Sequence, residues 1–486
     1  MKNPIKKFLM NLKETFGTRS SKVGSYSFFV TVIVLAILIT VNFALSFFPD
    51  SYVQKDLTAN QLYSISSQSK VLLGTLDEDI TIYWVVTSGN EDEYVEKLLH
   101  NYEDYCSRIT VVKKDPDLNP DFTNAYTDET VYNNSIVVEC GDKYRYISYE
   151  DIYETSEYSY YSSYSSASKF AGESLITSAI SYCTTEELPV IYVLEGHGER
   201  AFSDSFASAL ERDNLETESL TLLNYETVPE EAECIIINAP SSDISETEKE
   251  MLTEYLDNGG RLLILSGTAQ DSELTNLNAV MEYYGISVLE GVVIEESTDA
   301  YVFGSQVMLM PEMGSSDITD PLIADNYNVI FPVAKALDLS GASDDVEVTA
   351  LLQSSEESFI KEAGYQITTY EKEDGDTEGP LTLAALVTKD LDDDRQMQLV
   401  WIASSDMLDD TYNSLSSDAN EDFVLNALEM MSEKDDSISV RSKSLSYEYL
   451  TVSTSDASSI KAVTLGLIPA AYLIIGIVVV VRRKRR

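Results

Sequence analysis

The chain has 486 residues, with 33 Lys and Arg against 82 Asp and Glu, a formal charge of −49, two histidines and four cysteines. A field of that sign repels nucleic acid and anionic lipid, which excludes both as expected partners of the acidic part. His100 and His197 leave almost no scope for histidine-based catalysis, and Cys106, Cys140, Cys183 and Cys234 include no CxxC pair, so neither a zinc site nor a thioredoxin-type motif is available. Their apolar surroundings predict buried free thiols, with two disulfides as the alternative.

Residues 1–25 form a basic tail, with Lys2, Lys6, Lys7, Lys13, Arg19 and Lys22 against a single Glu14. The run 26–48, Tyr26 to Phe48, carries no charge and is long enough to cross a hydrocarbon core of roughly 30 Å at about 1.5 Å per residue. Its length exceeds a normal signal-peptide apolar region, and an uncleaved anchor is expected. A juxtamembrane segment, 441–462, leads to a second run, 463–481, that stops at Arg482, Arg483, Lys484, Arg485 and Arg486. By the positive-inside rule both basic ends lie in the cytoplasm. The expectation is a two-pass cell-membrane protein with both termini cytoplasmic and about 410 residues outside.

The exposed part is too long for one ordinary core, and two α/β domains are expected. The first, 50–152, begins with strand Ile80 to Val86. A helix Glu91 to Cys106 follows, with Leu98, Leu99, Tyr102 and Tyr105 at helical spacing, then a strand Ile109 to Val112. Asp115 to Pro120 is a turn cluster, and Ser135 to Cys140 with Tyr144 to Ser148 read as a hairpin about Gly141-Asp142. The Tyr/Ser-rich stretch 153–168 has no useful period and reads as a surface loop.

Residues 169–440 alternate as a Rossmann-like domain. Strand Val190 to Leu194, helix Phe202 to Arg212, strands Glu216 to Leu222 and Cys234 to Asn238, helix Glu246 to Asn258 and strand Arg261 to Ser266 predict a mostly parallel, helix-covered sheet. It is Rossmann- or flavodoxin-like, or amidotransferase-like. Helix Ser272 to Tyr284, strand Ser287 to Glu295, a hairpin of Leu381 to Thr388 with Gln396 to Ala403, and helix Asn420 to Ser432 complete it. The acidic loops Glu371 to Glu378 and Asp390 to Asp394 lack the ligand period of an EF-hand and read as hairpin turns; no metal site is expected.

The sharpest local feature is Gly196, His197, Gly198 and Glu199, placed where a buried strand ends and a helix follows. In an open parallel sheet that position faces the ligand crevice, and two glycines let the backbone approach something closely. His197 is the candidate ligand-binding group and Glu199 its orienting partner; a structural turn with a hydrogen-bonding imidazole is the alternative. No phosphate loop, no GxGxxG and no nucleophile elbow accompany it, since Arg261 to Ser266 ends only in Ser266-Gly267-Thr268. No catalytic set and no cofactor are expected.

Several segments together carry a family likeness: Asp56-Leu57-Thr58 with Leu62 to Ser66, the strand and helix before Asp115-Pro116, Phe170 to Ile180 (FAGESLITSAI), and the GHGE of Gly196 to Glu199. Ile235 to Ser242 (IIINAPSS) and Tyr255 to Leu265 (YLDNGGRLLIL) continue it, and it ends near Asp406 and Asn420. In that order, over most of residues 50–435, the chain resembles the GldG family, the auxiliary components of gliding-motility and related ABC-type transport systems. The resemblance implies a non-enzymatic auxiliary working beside a permease and an ATPase, which two spans leave to separate subunits. An extracellular hydrolase or amidotransferase-like enzyme acting on cell-envelope material is the second reading, and it requires His197 and Glu199 to act chemically.

Overall fold

The computed structural model describes residues 30–37, 39–40, 62–155, 168–185, 188–267, 274–324, 326–343, 345–361, 367, 369–391, 395–432 and 443–444. Residues 30–37 and 39–40 are helical, with Val32, Ile33, Leu35 and Ile37 exposed. Among the described residues no helix is long and apolar enough to cross a membrane. The rest of the first apolar run and all of Val463 to Val481 lie outside the described residues, as do both basic tails.

The first core is built on helix α1 (Ser67–Thr75), strand β1 (Ile80–Val85), helix α2 (Glu93–Tyr105) and strands β2 (Ile109–Lys114), β3 (Ser135–Cys140) and β4 (Lys143–Ile147). The sheet order is β2-β1-β3-β4. β1 and β2 run parallel because α2 carries the chain back between them, whereas the two-residue turn Gly141-Asp142 forces β3 and β4 antiparallel. Asp92 caps α2 by accepting from the Tyr94 and Val95 amides, which fixes the helix start. Its Val95, Leu98, Leu99 and Tyr102 face is buried, and a fully buried Leu or Val contributes about 1.5–3 kcal/mol.

Helix α3 (Tyr149–Ile152) and the strand pair β5 (Tyr153–Thr155) and β6 (Ser168–Phe170) follow. Both ends of the Tyr/Ser-rich stretch are therefore strand rather than loop; 156–167 lie outside the described residues. Helix α4 (Gly172–Thr184) packs its Ile176, Ala179, Ile180 and Cys183 into the first core, against β3 and β4.

The second core holds β7 (Val190–Leu194), α5 (Asp204–Arg212), β8 (Glu216–Leu220), β9 (Ala232–Asn238), α6 (Glu246–Asp257), β10 (Arg261–Leu265), α7 (Thr275–Tyr283), β11 (Ser287–Leu289) and β12 (Val292–Ile294). After these come β13 (Met308–Leu309), β14 (Glu312–Met313), α8 (Asp320–Ala324), β15 (Phe331–Pro332), β16 (Ala336–Asp338), β17 (Glu347–Gln353), β18 (Phe359–Lys361) and β19 (Thr377–Glu378). β20 (Thr382–Asp390), β21 (Gln396–Ile402), α9 (Asp410–Leu415) and α10 (Ala419–Met431) close it, and β22 (Lys443–Ser444) returns to pair with β6.

The large sheet runs β11-β16-β20-β21-β10-β9-β7-β8, with β17 on β20 and β14 on β17. β8, β7, β9, β10 and β21 are parallel; β20, β16, β11, β17 and β14 pair antiparallel. The expected mostly parallel sheet is thus a mixed one. The reason is local: β20 and β21 are joined by a short acidic turn, which cannot make the crossover that parallel neighbours need. β10 reads Arg-Leu-Leu-Ile-Leu and is buried throughout, as befits a strand covered on both faces.

The strand expected over Ser287 to Glu295 is two strands in two sheets. Gly291 at φ +116° breaks it, and a Cβ there would lie 2.5 Å from the Lys361 carbonyl oxygen. β12, β18 and β19 form a separate small sheet over Val292, Ile294 and Phe359. The acidic loop Glu371 to Glu378 closes on this sheet and holds the Lys361 ammonium, through the Glu371 carbonyl at 2.8 Å, Glu373 at 2.9 Å and Asp376 at 3.2 Å. The carboxylates of this loop are thus turned on a buried lysine.

Candidate functional site at the carboxyl ends of the parallel strands

The GHGE loop follows β7 directly, and the chain leaves β7 first for β8 on one side and later for β9 on the other. Glu195 is held by its amide on the Leu220 carbonyl and by Ser219, whose hydroxyl donates to its carboxylate at 2.7 Å. Gly196 at φ +123° and Gly198 at φ +71° turn the chain through backbone conformations that L side chains resist. A Cβ on Gly198 would come 2.1 Å from Ser241 Oγ, so this glycine is also required by a close approach of the loop after β9. That second loop turns at Ala239, a non-glycine residue at φ +48°.

The two loops are joined through the backbone of His197. Its carbonyl accepts from the Ser241 and Ser242 amides at 3.0 and 2.9 Å and from the Ser242 hydroxyl at 3.0 Å. The imidazole sits between two carboxylates: Nδ1 is 3.0 Å from Glu199 Oε1 and Nε2 is 3.2 Å from Glu248 Oε2. The side chains of His197, Glu199 and Glu248 are 9 %, 7 % and 2 % exposed. Both ring nitrogens are taken, so the imidazole has none left to ligate a metal or to pair with a serine.

Glu248 comes from the first turn of α6, where Ser245 and Glu248 form a capping box. Burial raises its pKa, but the Ser245 amide and hydroxyl and the neighbouring His197 outweigh that and hold the carboxyl below its ordinary value. The sequence shows the Ser-x-x-Glu capping pattern, yet not that the same carboxylate reaches His197 fifty-one residues away. Two buried acceptors here, Glu248 Oε1 and Asn238 Oδ1, have no hydrogen-bond partner among the described residues.

Arg200, one residue past the motif, reaches the loop after β21: Nη1 lies 2.5 Å from Asp406 Oδ1 and Nη2 lies 3.5 Å from Asp409 Oδ2. Ser205 adds a bond to Asp410 at 2.6 Å. The end of β10 is occupied by Ser266, which accepts from the Trp401 indole at 2.8 Å. Among the described residues no group of three or more His, Cys, Asp or Glu is arranged to hold a metal ion. His100, the other histidine, stands elsewhere, on α2 beside Asp104 at 3.7 Å.

The four cysteines are buried free thiols. Burial pushes Cys140 and Cys234 up to about 12 and Cys183 up to about 11. None bonds to the GHGE loop, and burial holds Cys140, Cys183 and Cys234 away from the ionised form that nucleophilic chemistry needs.

No curated protein matches the chain. Among solved structures, the mmIFT52 N-terminal domain is similar at 17% identity and TM-score 0.38, covering 51% of this chain and 98% of its own. The structure of PurLQS from Thermotoga maritima is similar at 10% identity and TM-score 0.26, covering 50% of this chain and 100% of its own. Neither likeness is close enough to carry an argument. Residues 59–153 match a family described as a domain of unknown function. Residues 188–427, the β7 to α10 unit that carries the GHGE loop, match the family described as an ABC-type uncharacterized transport system.

Proposed function

We propose that the protein is a membrane-anchored, non-catalytic auxiliary component of an ABC-type transport system, of the GldG-like kind. Its acidic head stands outside the membrane and binds a substrate or partner. A separate permease and ATPase are its partners, and both chain termini lie in the cytoplasm. The observation that carries this reading is the family match over residues 188–427. The parallel order β8-β7-β9-β10-β21 supports a flavodoxin-like doubly wound reading. In a sheet of that kind a loop placed as the GHGE loop is stands beside the switch point where ligands are received. The unpartnered Glu248 Oε1 and Asn238 Oδ1 support a donor-bearing ligand there. Their burial means that the two loops must part to admit it.

A non-catalytic role is supported by the chemistry around His197. Ser241 and Ser242 bond to its carbonyl rather than to its ring, whose two nitrogens face Glu199 and Glu248, so neither of these serines is paired with His197 as a nucleophile. ATP hydrolysis belongs to another subunit, because this sequence has no phosphate loop.

The test is recovery of the native complex. Membranes are solubilised in mild detergent, the protein is pulled down through an internal tag, and its companions are identified by mass spectrometry. A permease and its ATPase at near-stoichiometric yield are expected. Their absence under several detergents overturns the auxiliary reading and leaves an independent binding or enzymatic role.

A further inference from the structure

We infer that Cys140 and Cys183 form a disulfide between β3 and α4 when the chain folds in an oxidising solution, and that the structure shows the dithiol form of this pair. Cys106 and Cys234 stay free.

The distribution of the cysteines decides which pairs exist. Cys234 lies in the second core, which holds no other cysteine, so no arrangement of two disulfides is open to this fold. Cys106, Cys140 and Cys183 share the first core. Of these, Cys106 follows α2 directly and turns its sulfur on the Leu73 carbonyl at 3.5 Å.

The other two meet where the end of α4 lies on the end of β3. Val138 and Cys140 are two residues apart on β3 and so face the same side of the sheet, the side that Ile176, Ala179, Ile180 and Cys183 of α4 cover. The Cys183 sulfur is 3.6 Å from the Val138 carbonyl oxygen. Lys143, opposite Cys140 across the hairpin, bonds through its ammonium to the Thr185 carbonyl. The helix end is thereby pinned on both sides of Cys140. The Cys140 amide stands against the Cys183 sulfur, and each thiol feels the other. Burial, the Glu78 carboxylate and then Cys183 push Cys140 up to about 12. Cys183 stands at about 11, with burial raising it and Arg145, Lys143 and that amide lowering it.

The two thiols are 3% and 4% exposed. The bond therefore forms while the chain folds, before burial shuts out solvent disulfides and suppresses the thiolates. One thiolate attacks oxidised glutathione, and the second then displaces glutathione from the mixed disulfide. Two S–H bonds are lost, one S–S bond is gained, and the electron pair and both hydrogens leave in two molecules of reduced glutathione. Relative to the dithiol form, the Cys140 sulfur turns from Glu78 Oε2, to which it donates at 2.9 Å, toward α4. The bond fastens the last turn of α4 just before the chain crosses to β7, beside the Arg145 whose guanidinium reaches Asn214 in the second domain. The pairing is a property of the fold and stands apart from the transport reading, which only supplies an oxidising place for it.

The experiment synthesises the full chain cell-free in detergent micelles, once with oxidised and reduced glutathione and once with dithiothreitol. Protein that withstands limited trypsin is alkylated with iodoacetamide in guanidinium without reductant, digested and read by mass spectrometry. With glutathione, alkylated Cys140 and Cys183 are expected to fall about tenfold relative to the dithiothreitol sample, replaced by a Cys140–Cys183 linked peptide, while Cys106 and Cys234 stay fully alkylated. Cys183→Ala should return Cys140 to full alkylation. Four alkylated cysteines in the folded glutathione sample, or a linked peptide through Cys106 or Cys234, overturns the proposal. So does a glutathione sample that loses the trypsin resistance its dithiothreitol counterpart keeps.

Discussion

At the scale of single residues, His197 is the point on which the GHGE loop closes. Replacing it with Ala leaves Glu199 and Glu248 as buried carboxylates facing a void, each without the ring nitrogen it bonds to, and a buried polar group left unsatisfied costs about 1–3 kcal/mol. His197→Ala is expected to lose that much in urea unfolding; a loss below about 1 kcal/mol would show that the ring is not a structural tie. Glu248 adds a pH dependence. Its folded pKa lies below 4.5, so the stability it contributes is complete above that value and fades as pH falls through the lowered pKa. The stability gap between wild type and Glu248→Gln is therefore expected to shrink between about pH 5 and pH 3. A gap that stays constant would contradict the role given to this carboxyl. The thiols make a further prediction: with values near 11 to 12, Cys140, Cys183 and Cys234 should resist alkylation at pH 8 in the native protein and react once denaturant is added.

At the scale of elements, the positions that decide the site are turns. Gly198 combines φ +71° with a neighbour 2.1 Å from its missing Cβ. Gly198→Ala should cost about 1–3 kcal/mol in equilibrium unfolding, and a neutral result would mean that the loops after β7 and β9 are not held against each other. Glu173 plays the matching part in the first domain: it receives the Ser66 amide and the Ser69 hydroxyl, while Tyr102 and Thr177 bond beside it at 2.5 Å. Both charge-assisted bonds are lost in Glu173→Ala, for an expected cost of about 3 kcal/mol. Periodicity predicts α2, α6 and β10 well, because each has a repeating apolar pattern of its own. It does not foresee the break at Gly291, where the strand changes sheets. That break depends on how closely the Lys361 strand approaches, which no local pattern encodes.

For the molecule as a whole, the chain carries a net charge of −49, and its described residues build two large cores and one small one. Self-repulsion of this kind works against compactness and is screened by salt. Raising sodium chloride from about 10 mM to 0.5 M is expected to stabilise the head by ~1 kcal/mol, a rise of roughly 2–4 °C in Tm for a unit of this size. A fall in Tm would mean that specific ion pairs such as Arg200–Asp406 and Arg212–Glu421 outweigh the repulsion. Those pairs and the Arg145 contact with Asn214 at 2.5 Å join separate parts of the fold, the last of them linking the first domain to the second.

The sequence alone determined what composition and local periodicity can express: an α/β chain, strongly acidic, with charge-free apolar runs near both ends, no phosphate loop, and a glycine-bracketed His197 at a strand end. It also placed Glu199 beside that histidine, since two residues cannot be far apart. Only the tertiary structure supplied Glu248 as the second carboxylate, Ser241 and Ser242 as partners of the His197 carbonyl, and the mixed character of the sheet. It also brought the Ser66 amide to Glu173 and residues 443–444 to Phe170 and Lys169. The physical reason is the same in each case: these contacts join segments tens to hundreds of residues apart, and only the closure of the whole chain brings their atoms within hydrogen-bonding distance.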